Sequence, residues 1–238
     1  MDQQREELAL ANREQESLMH FITHQIKGFL TKSKGIFSLA LEGDLGPLSP
    51  DMKRYAEEGL RSGNQGVSMV QDLLNASNLK KGTMAINKTD CNLISMLNDI
   101  VNENKTAAAD KGLLLELNIS DPAINIQADT LQLRNVFKNL IENSIHYTPT
   151  GSVKVSLKTE GNKVIFDVVD TGIGLSEADK KKLFTEGGRG DDSIKINVNS
   201  TGHGLFIAKK IVDAHGGKIY AESAGRDKGS RFVVELNK

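Results

Sequence analysis

The 238-residue chain has one cysteine, four prolines and no tryptophan. A lone Cys91 excludes an intrachain disulfide and any zinc site built on paired cysteines. A solitary thiol of this kind is expected in the core, chemically inert. No apolar run comes near the roughly 20 residues needed to cross a bilayer. The opening residues, Met1-Asp2-Gln3-Gln4-Arg5-Glu6-Glu7, lack the apolar stretch of a secretory signal. A charge excess is missing too. Lys+Arg number 30 against 31 Asp+Glu, a formal net charge of -1, which points away from nucleic acid or an anionic membrane as main partner. What remains, 38% hydrophobic and 26% charged, is the composition of a soluble protein of one or two domains.

Residues 1 to about 80 read as helical. Up to about residue 41, Leu18, Ile22, Ile26, Phe29, Ile36 and Ala40 recur at helical period and form one stripe. Gly43-Asp44-Leu45-Gly46-Pro47-Leu48-Ser49-Pro50 breaks the pattern. A second helix is expected over 51–79, with Leu60, Val67, Val70, Leu73 and Leu74 as its apolar set. Two long helices joined by a short turn make an antiparallel hairpin. With one stripe to bury and no third helix to bury it on, the hairpin is expected to dimerise into a four-helix bundle. Lys80-Lys81-Gly82-Thr83 reads as a linker, which sets domains at 1–82 and 83–238. The second domain is expected to contain a helix near 92–111, strands at 113–119 and 124–127, a helix over 129–146, and strands at 153–158 and 163–169. A short helix at 177–184, a polar stretch to 200, a helix over 204–215 and strands at 218–222 and 230–236 follow. This pattern predicts an α+β fold, a mixed sheet with helices on one face.

Three segments carry chemistry. Asp170-Thr171-Gly172-Ile173-Gly174 ends the apolar run 164–169. A carboxylate at a strand end can accept from a ligand amine, and glycines let backbone come close. On the helix before it, Asn139, Glu142, Asn143 and His146 fall at i, i+3, i+4 and i+7, on one face. Asparagine is an indifferent helix former, and amide oxygens suit a hard cation such as Mg²⁺, completed by phosphate oxygens and water. Finally, Ser200-Thr201-Gly202-His203-Gly204-Leu205 opens a helix, whose free N–H groups suit a phosphate.

In this order the segments resemble the ATP-binding domain of sensor histidine kinases, a branch of the GHKL ATPase fold with an α/β two-layer sandwich. Residues 139–147 look like the N box, 170–174 like the first glycine box and 201–205 like the second. Phe184 falls at the F box. Gly229-Ser230-Arg231-Phe232 resembles the last glycine motif, and Ala214-His215-Gly216-Gly217 also fits. The resemblance runs over about 90–238 and implies ATP and Mg²⁺ as cofactors. It implies that Asp170 binds the adenine amino group, with Gly172 and Gly174 shaping the adenine pocket and Tyr147 lining it. Asn143 would coordinate Mg²⁺, with Asn139 and His146 near the phosphates. Residues 185–200 would form an ATP lid, with Arg189 as a phosphate contact. Thr201, Gly202, His203, Gly204, Leu205 and Ser230 complete the implied site. Ser200 and His203 depart from the usual Gly and Leu, but Gly202 and Gly204 remain, so nucleotide binding is expected to survive.

The first helix carries Phe21-Ile22-Thr23-His24-Gln25-Ile26-Lys27-Gly28-Phe29-Leu30. At ~100° per residue His24 lies about 200° from Ile22, away from the apolar stripe. An exposed imidazole of this kind can act as a nucleophile. The segment resembles the family's H box, with His24 as phosphoacceptor; His20, one turn earlier, lacks that context. Three positions depart from the pattern. Gln25 stands where an acid usually serves as base, Gly28 where Thr or Asn usually supports phosphatase activity, and Phe29 where Pro usually stands. An amide cannot take the proton, so autophosphorylation is expected to be slow and phosphatase activity weak or differently organised. The resemblance thus implies a cytoplasmic, homodimeric two-component core that passes its phosphoryl group to an Asp of a response regulator receiver domain. Two alternatives stand beside it. One is a clamp ATPase using Glu142 as its base; the other is an ATP-binding scaffold without phosphotransfer. The chain opens directly in its first helix, which fits either a piece of a longer, membrane-anchored sensor or a kinase controlled by a partner.

Overall fold

The computed structural model describes residues 2–80, 86–185, 187–188 and 203–238. The chain divides into two compact units, Met1–Thr83 and Met84–Lys238. The first is built on two long helices, α1 (Asp2–Glu42) and α2 (Pro50–Lys80). Ser49 Oγ accepts from the Met52 N–H at 3.3 Å and so caps the start of α2. The two helices meet through a row of small residues on α2. Ala56 and Gly63 are buried, and a Cβ on Gly59, Gly63 or Gly66 would press on Phe37, Lys34 or Leu30 respectively. On α1, Thr23 is buried in the same heptad row as Leu30 and Phe37.

The stripe expected along α1 is a different row. Ile22, Ile26, Phe29 and Ile36 remain 43, 42, 68 and 60% exposed in the single chain. The hairpin therefore closes on one row of α1 and leaves the second bare. Hydrophobic periodicity reports only the second, because the α2 half of the closed row is alanine and glycine.

The second unit runs β1 (Thr89–Asn92), α3 (Leu93–Asp110), β2 (Leu114–Ile119), β3 (Asn125–Ala128), α4 (Thr130–His146), β4 (Ser152–Glu160), β5 (Lys163–Asp170), α5 (Glu177–Lys182), α6 (Gly204–Ala214), β6 (Lys218–Glu222) and β7 (Ser230–Asn237). Five strands form a mixed sheet in the order β2-β4-β5-β7-β6, in which β2 and β4 are parallel and the other neighbours antiparallel. Register stacks apolar residues across one face: Leu157 opposes Phe166, Phe166 opposes Val234, and Val234 opposes Ile219. All four are buried. Phe137 of α4 stacks on Phe166 with ring centroids 4.2 Å apart. The other face is closed by charge pairs: Arg231 reaches Asp167 at 3.2 Å and Glu222 at 3.0 Å, and Lys163 reaches Glu235 at 2.8 Å. This is the two-layer α+β sandwich that the pattern predicts.

One element was not expected. β1 pairs antiparallel with β3 in a separate two-stranded ribbon, so the strand predicted near 124–127 does not join the main sheet. Of β1's four residues only Cys91 is buried, too few to leave a period-2 signal. Burial pushes the Cys91 thiol up, opposed in part by a hydrogen bond from Thr130, as suits an inert core thiol. Among the described residues, no helix is long and apolar enough to cross a membrane.

Candidate functional site

Helix α4 is the spine of the site. It buries Leu133, Val136, Phe137, Leu140 and Ile141, and Phe137 stacks on Phe166 of the sheet. Its start is pinned from two directions. Asp129, the N-cap, accepts from the Gln132 N–H at 3.1 Å and from the Asn87 N–H at 3.1 Å. The Asp129 N–H in turn donates to His215 Nε2 at 3.0 Å, while His215 Nδ1 donates to the Ile211 carbonyl at 2.7 Å. That pair of bonds sets the imidazole tautomer and ties the end of α6 to the beginning of α4. The Ala214-His215-Gly216-Gly217 motif thus acts at the far end of α4 from Tyr147.

At the C-terminal end of α4 the Asp170 segment closes on itself. The Asp170 carboxylate is buried. Its Oδ1 accepts from the Gly172 N–H at 2.9 Å and from the Ser230 N–H at 3.1 Å, and Oδ2 accepts from Ser144 Oγ at 3.3 Å. Desolvation raises its pKa from the usual carboxylate value, and these three donors oppose the rise. Gly172 packs against the carbonyl of Tyr147, which accepts from the Ile173 N–H at 3.2 Å. Gly174 sits at φ +67, and a Cβ there would overlap the Gly225 carbonyl oxygen. Gly229, at φ +69, leaves the same lack of room against the Asp170 carbonyl oxygen. Both positions need glycine for two reasons at once: backbone conformation and approach.

These overlaps reveal a partner that motif reading touched only at its last residue, Gly229: the loop over 223–229. The Asp227 N–H donates to the Ile173 carbonyl at 2.7 Å and the Gly229 N–H to the Gly172 carbonyl at 3.1 Å. Ser223 Oγ accepts from the Leu175 N–H at 3.0 Å and donates to the Gly229 carbonyl at 2.6 Å. Lys180 Nζ donates to the Ser223 carbonyl at 2.7 Å. The Asp170 turn is therefore one half of a two-loop weave. Its only trace in sequence is the turn-rich string Gly225-Arg226-Asp227-Lys228-Gly229.

Midway along α4, Asn143 Nδ2 donates to Asn139 Oδ1 at 3.2 Å. Gly204, the first residue of α6, packs on the same amide; a Cβ there would come within 2.8 Å of Asn139 Oδ1. Asn139 Nδ2 is buried with no hydrogen-bond partner among the described residues, and Asn143 Oδ1 faces no protein donor among them. An amide oxygen left open beside a helix N-terminus fits a hard cation that carries phosphate and water as its other ligands. Among the described residues, no three His, Cys, Asp or Glu side chains cluster to hold a metal by themselves. His146 is half-buried and meets the Tyr147 ring edge-on at 5.1 Å. Glu142 is half exposed and pairs with Lys138 at 3.7 Å; desolvation raises its carboxyl pKa, opposed by that lysine.

Phe184 is half-buried just after α5, and His203 and Leu205 flank the start of α6. Ser230 joins the Asp170 cluster through its backbone N–H. Arg189, Thr201 and Gly202 lie outside the described residues. In the helical unit His24 and Gln25 are both exposed, next to the buried Thr23.

Residues 128–238 match the family model described as histidine kinase-, DNA gyrase B-, and HSP90-like ATPase. Over 94% of its length the chain is 30% identical to the circadian input-output histidine kinase CikA of Synechococcus elongatus. The chain belongs to the histidine kinase family. Over 91% of its length this kinase core is also 31% identical to the signal transduction histidine-protein kinase BarA of Escherichia coli. It spans only 30% of CikA and 24% of BarA. A crystal structure of full-length ShkA in complex with AMPPNP has the same fold, with a TM-score of 0.71 over 92% of this chain and 45% of that one, at 22% identity. The nucleotide-free catalytic domain of the histidine kinase ThkA matches 63% of this chain and 95% of its own, with a TM-score of 0.55 at 25% identity.

Proposed function

We propose that this core binds Mg-ATP along α4, moves the γ-phosphoryl group to His24 and hands it to an Asp of a response regulator. The observation that carries the reading is the Asp170 carboxylate. Its Oδ1 is filled by two backbone N–H groups, while Oδ2 holds only the Ser144 hydroxyl and keeps capacity for a ligand amine. Adenine would lie against Asp170, Gly172, Gly174 and Tyr147. The triphosphate would run back along α4 toward His146, Asn143, Asn139 and the start of α6 at Gly204. Eight residues of helix cover about 12 Å, enough for the triphosphate chain. AMPPNP, an ATP analogue, bound to the similarly folded ShkA supports a nucleotide here. Asn143 Oδ1 would hold Mg²⁺, which screens the triphosphate charge. Phe184, Arg189, Thr201, Gly202, His203, Leu205 and Ser230 would complete the wall.

In the reaction an imidazole nitrogen of His24 attacks the γ-phosphorus. The P–N bond forms, the bond to the β–γ bridging oxygen breaks, and ADP leaves with that electron pair. The imidazole proton must then depart. Gln25 can orient the ring through its amide oxygen but cannot keep the proton, so water or another group takes it and the step is slow. Gly28 offers no side chain to hold an attacking water, so phosphatase activity is weak. The bare row Ile22, Ile26, Phe29 and Ile36 supports a homodimeric bundle, whose surface near His24 would receive the regulator. The hairpin would end at residue 82 and the ATP-binding domain begin at 83, within one residue of the division between the two compact units, and the core would work in the cytoplasm.

A clamp ATPase would need Glu142 as its base. That carboxylate is committed to Lys138 on an exposed stretch of α4, which disfavours this reading. The test uses γ-labelled ATP and the His24→Ala variant. The parent chain should acquire acid-labile label and the variant none. Acid-labile label retained on His24→Ala would sink the assignment, and steady phosphate release without label would favour the clamp.

A further inference from the structure

We propose that Lys111 is a positioning residue for the nucleotide site: it holds the end of α4, and with it His146 and Tyr147, in place. This rests on the nucleotide-site reading above. Lys111 follows the last residue of α3 and caps it, its own N–H donating to the Ala108 carbonyl at 3.1 Å. Its ammonium crosses to the other helix. Nζ donates to the carbonyls of Ile145 at 2.8 Å, His146 at 2.8 Å and Thr148 at 3.3 Å. An ammonium has three N–H donors and no acceptor, and here all three are spent on one short stretch of backbone.

That stretch is the last turn of α4 and its exit, where carbonyls run out of helical partners. Their donors can be accounted for one by one. The Asn143 carbonyl takes the Tyr147 N–H at 2.9 Å, and the Ser144 carbonyl takes the Thr148 hydroxyl at 2.6 Å. The Tyr147 carbonyl takes the Ile173 N–H at 3.2 Å. The remaining three, Ile145, His146 and Thr148, are those that Lys111 serves. Ile145 and Thr148 are buried, so water cannot readily replace the ammonium. The positive charge also sits at the negative end of the α4 dipole, where a cation is favoured. Desolvation in this corner lowers the lysine's pKa from its ordinary value, so an ammonium placed here must be held by its partners.

The consequence is a clamp with two jaws. The Gly172–Ile173 backbone grips the α4 exit through the Tyr147 carbonyl, and Lys111 grips it through the carbonyls on either side. On the nucleotide-site reading His146 belongs to the phosphate region and Tyr147 to the adenine region, so the placement of both would depend on both jaws. Lys111 touches no ligand; it acts through the backbone of residues that would.

Lys111→Met keeps the aliphatic stem and removes the donors; Lys111→Arg keeps charge and donors in a different shape. In nucleotide-free protein, hydrogen exchange at the Tyr147 and Ile173 amides should quicken at least about tenfold in Lys111→Met, while the Phe166 and Val234 amides in the sheet centre hold their rates. The ATP KM for autophosphorylation should rise about tenfold with kcat within about threefold, and Lys111→Arg should recover most of the loss. Unchanged exchange at Tyr147 and Ile173 would overturn the proposal, as would exchange quickened equally at Phe166 and Val234, or a kcat loss with KM unchanged. If Lys111→Met does not fold, Lys111→Gln, which is polar but too short and uncharged to serve all three carbonyls, is read by the same exchange test with the same deciding outcomes. Were the parent chain to bind no ATP, the nucleotide reading would fail, while the exchange measurement would still decide whether Lys111 holds the α4 exit.

Discussion

Replacing Asp170 by Asn separates folding from ligand binding, because the structure assigns the two oxygens of this carboxylate different work. Oδ1 accepts from the Gly172 and Ser230 N–H groups. An asparagine oxygen in that place accepts the same two bonds, and its Nδ2 then lies at the Oδ2 position, where Ser144 Oγ can accept instead of donate. All three internal bonds survive, and the burial of a charge is relieved. The sign follows from the raised carboxyl pKa. A carboxyl whose folded pKa lies above its unfolded value contributes most stability below the unfolded value of 3.8, and that contribution is lost as pH rises through the folded pKa. Asp170→Asn should therefore melt no lower than the parent at pH 7, and its advantage should grow as pH rises from about 4. Binding goes the other way. A ligand amine that met a carboxylate oxygen would now meet an NH₂ group, donor against donor. Flipping the amide does not help, since it turns Nδ2 onto the Gly172 and Ser230 N–H groups. A hydrogen bond to a charged group contributes about 1.5–3 kcal/mol, so the ATP Kd should rise roughly 10- to 150-fold. Titration calorimetry gives the Kd and scanning calorimetry the Tm, where about 1 kcal/mol corresponds to about 2–4 °C at this chain length. A Kd within threefold of the parent would refute the adenine assignment. A Tm lowered by more than about 4 °C would refute the hydrogen-bond accounting.

Gln25→Glu restores a carboxylate beside His24 on an exposed turn of α1. A positioned base is worth about 10²–10⁴-fold, so autophosphorylation should quicken at least about tenfold, and an unchanged initial rate would remove Gln25 as the cause of slowness. Ile26→Glu puts a charge in the middle of the bare α1 row without touching the row that packs on α2. Sedimentation equilibrium should show the parent as a dimer and the variant as a monomer with unchanged helix content; a variant that stays dimeric would move the interface elsewhere.

The elements most legible in sequence were those that bury one whole periodic face. β4 alternates, β5 and β7 are short apolar runs bounded by turn residues, and α4 carries its apolar residues at helical spacing, so their positions follow from pattern alone. The same logic failed where burial is carried by small or single residues. β1 buries only Cys91, and the closed row of the hairpin is Ala56, Gly59, Gly63 and Gly66 on the α2 side. The stripe read on α1 was a true apolar row, yet not the one that closes the hairpin.

The site divides along the same line. Asp170, Gly172, Gly174, Asn139 and Asn143 are local motifs, side chains and glycines whose spacing is itself the signal. What holds them is remote in sequence and acts through backbone. Ser223 reaches Leu175 from 48 residues away, Lys111 reaches α4 across 34 to 37 residues, and His215 reaches Asp129 across 86. A carbonyl or an N–H looks the same whichever residue carries it, so nothing in the acceptor segment announces its donor. Motif reading therefore finds the groups that would touch a ligand and passes over those that aim them. The second kind are found by asking of each chain end, turn and helix terminus where its backbone hydrogen bonds go. At the α4 exit that question leads to a lysine that no ligand-centred reading selects. The same question put to the loop over 223–229 leads to Ser223, whose hydroxyl joins both halves of the weave beneath Asp170.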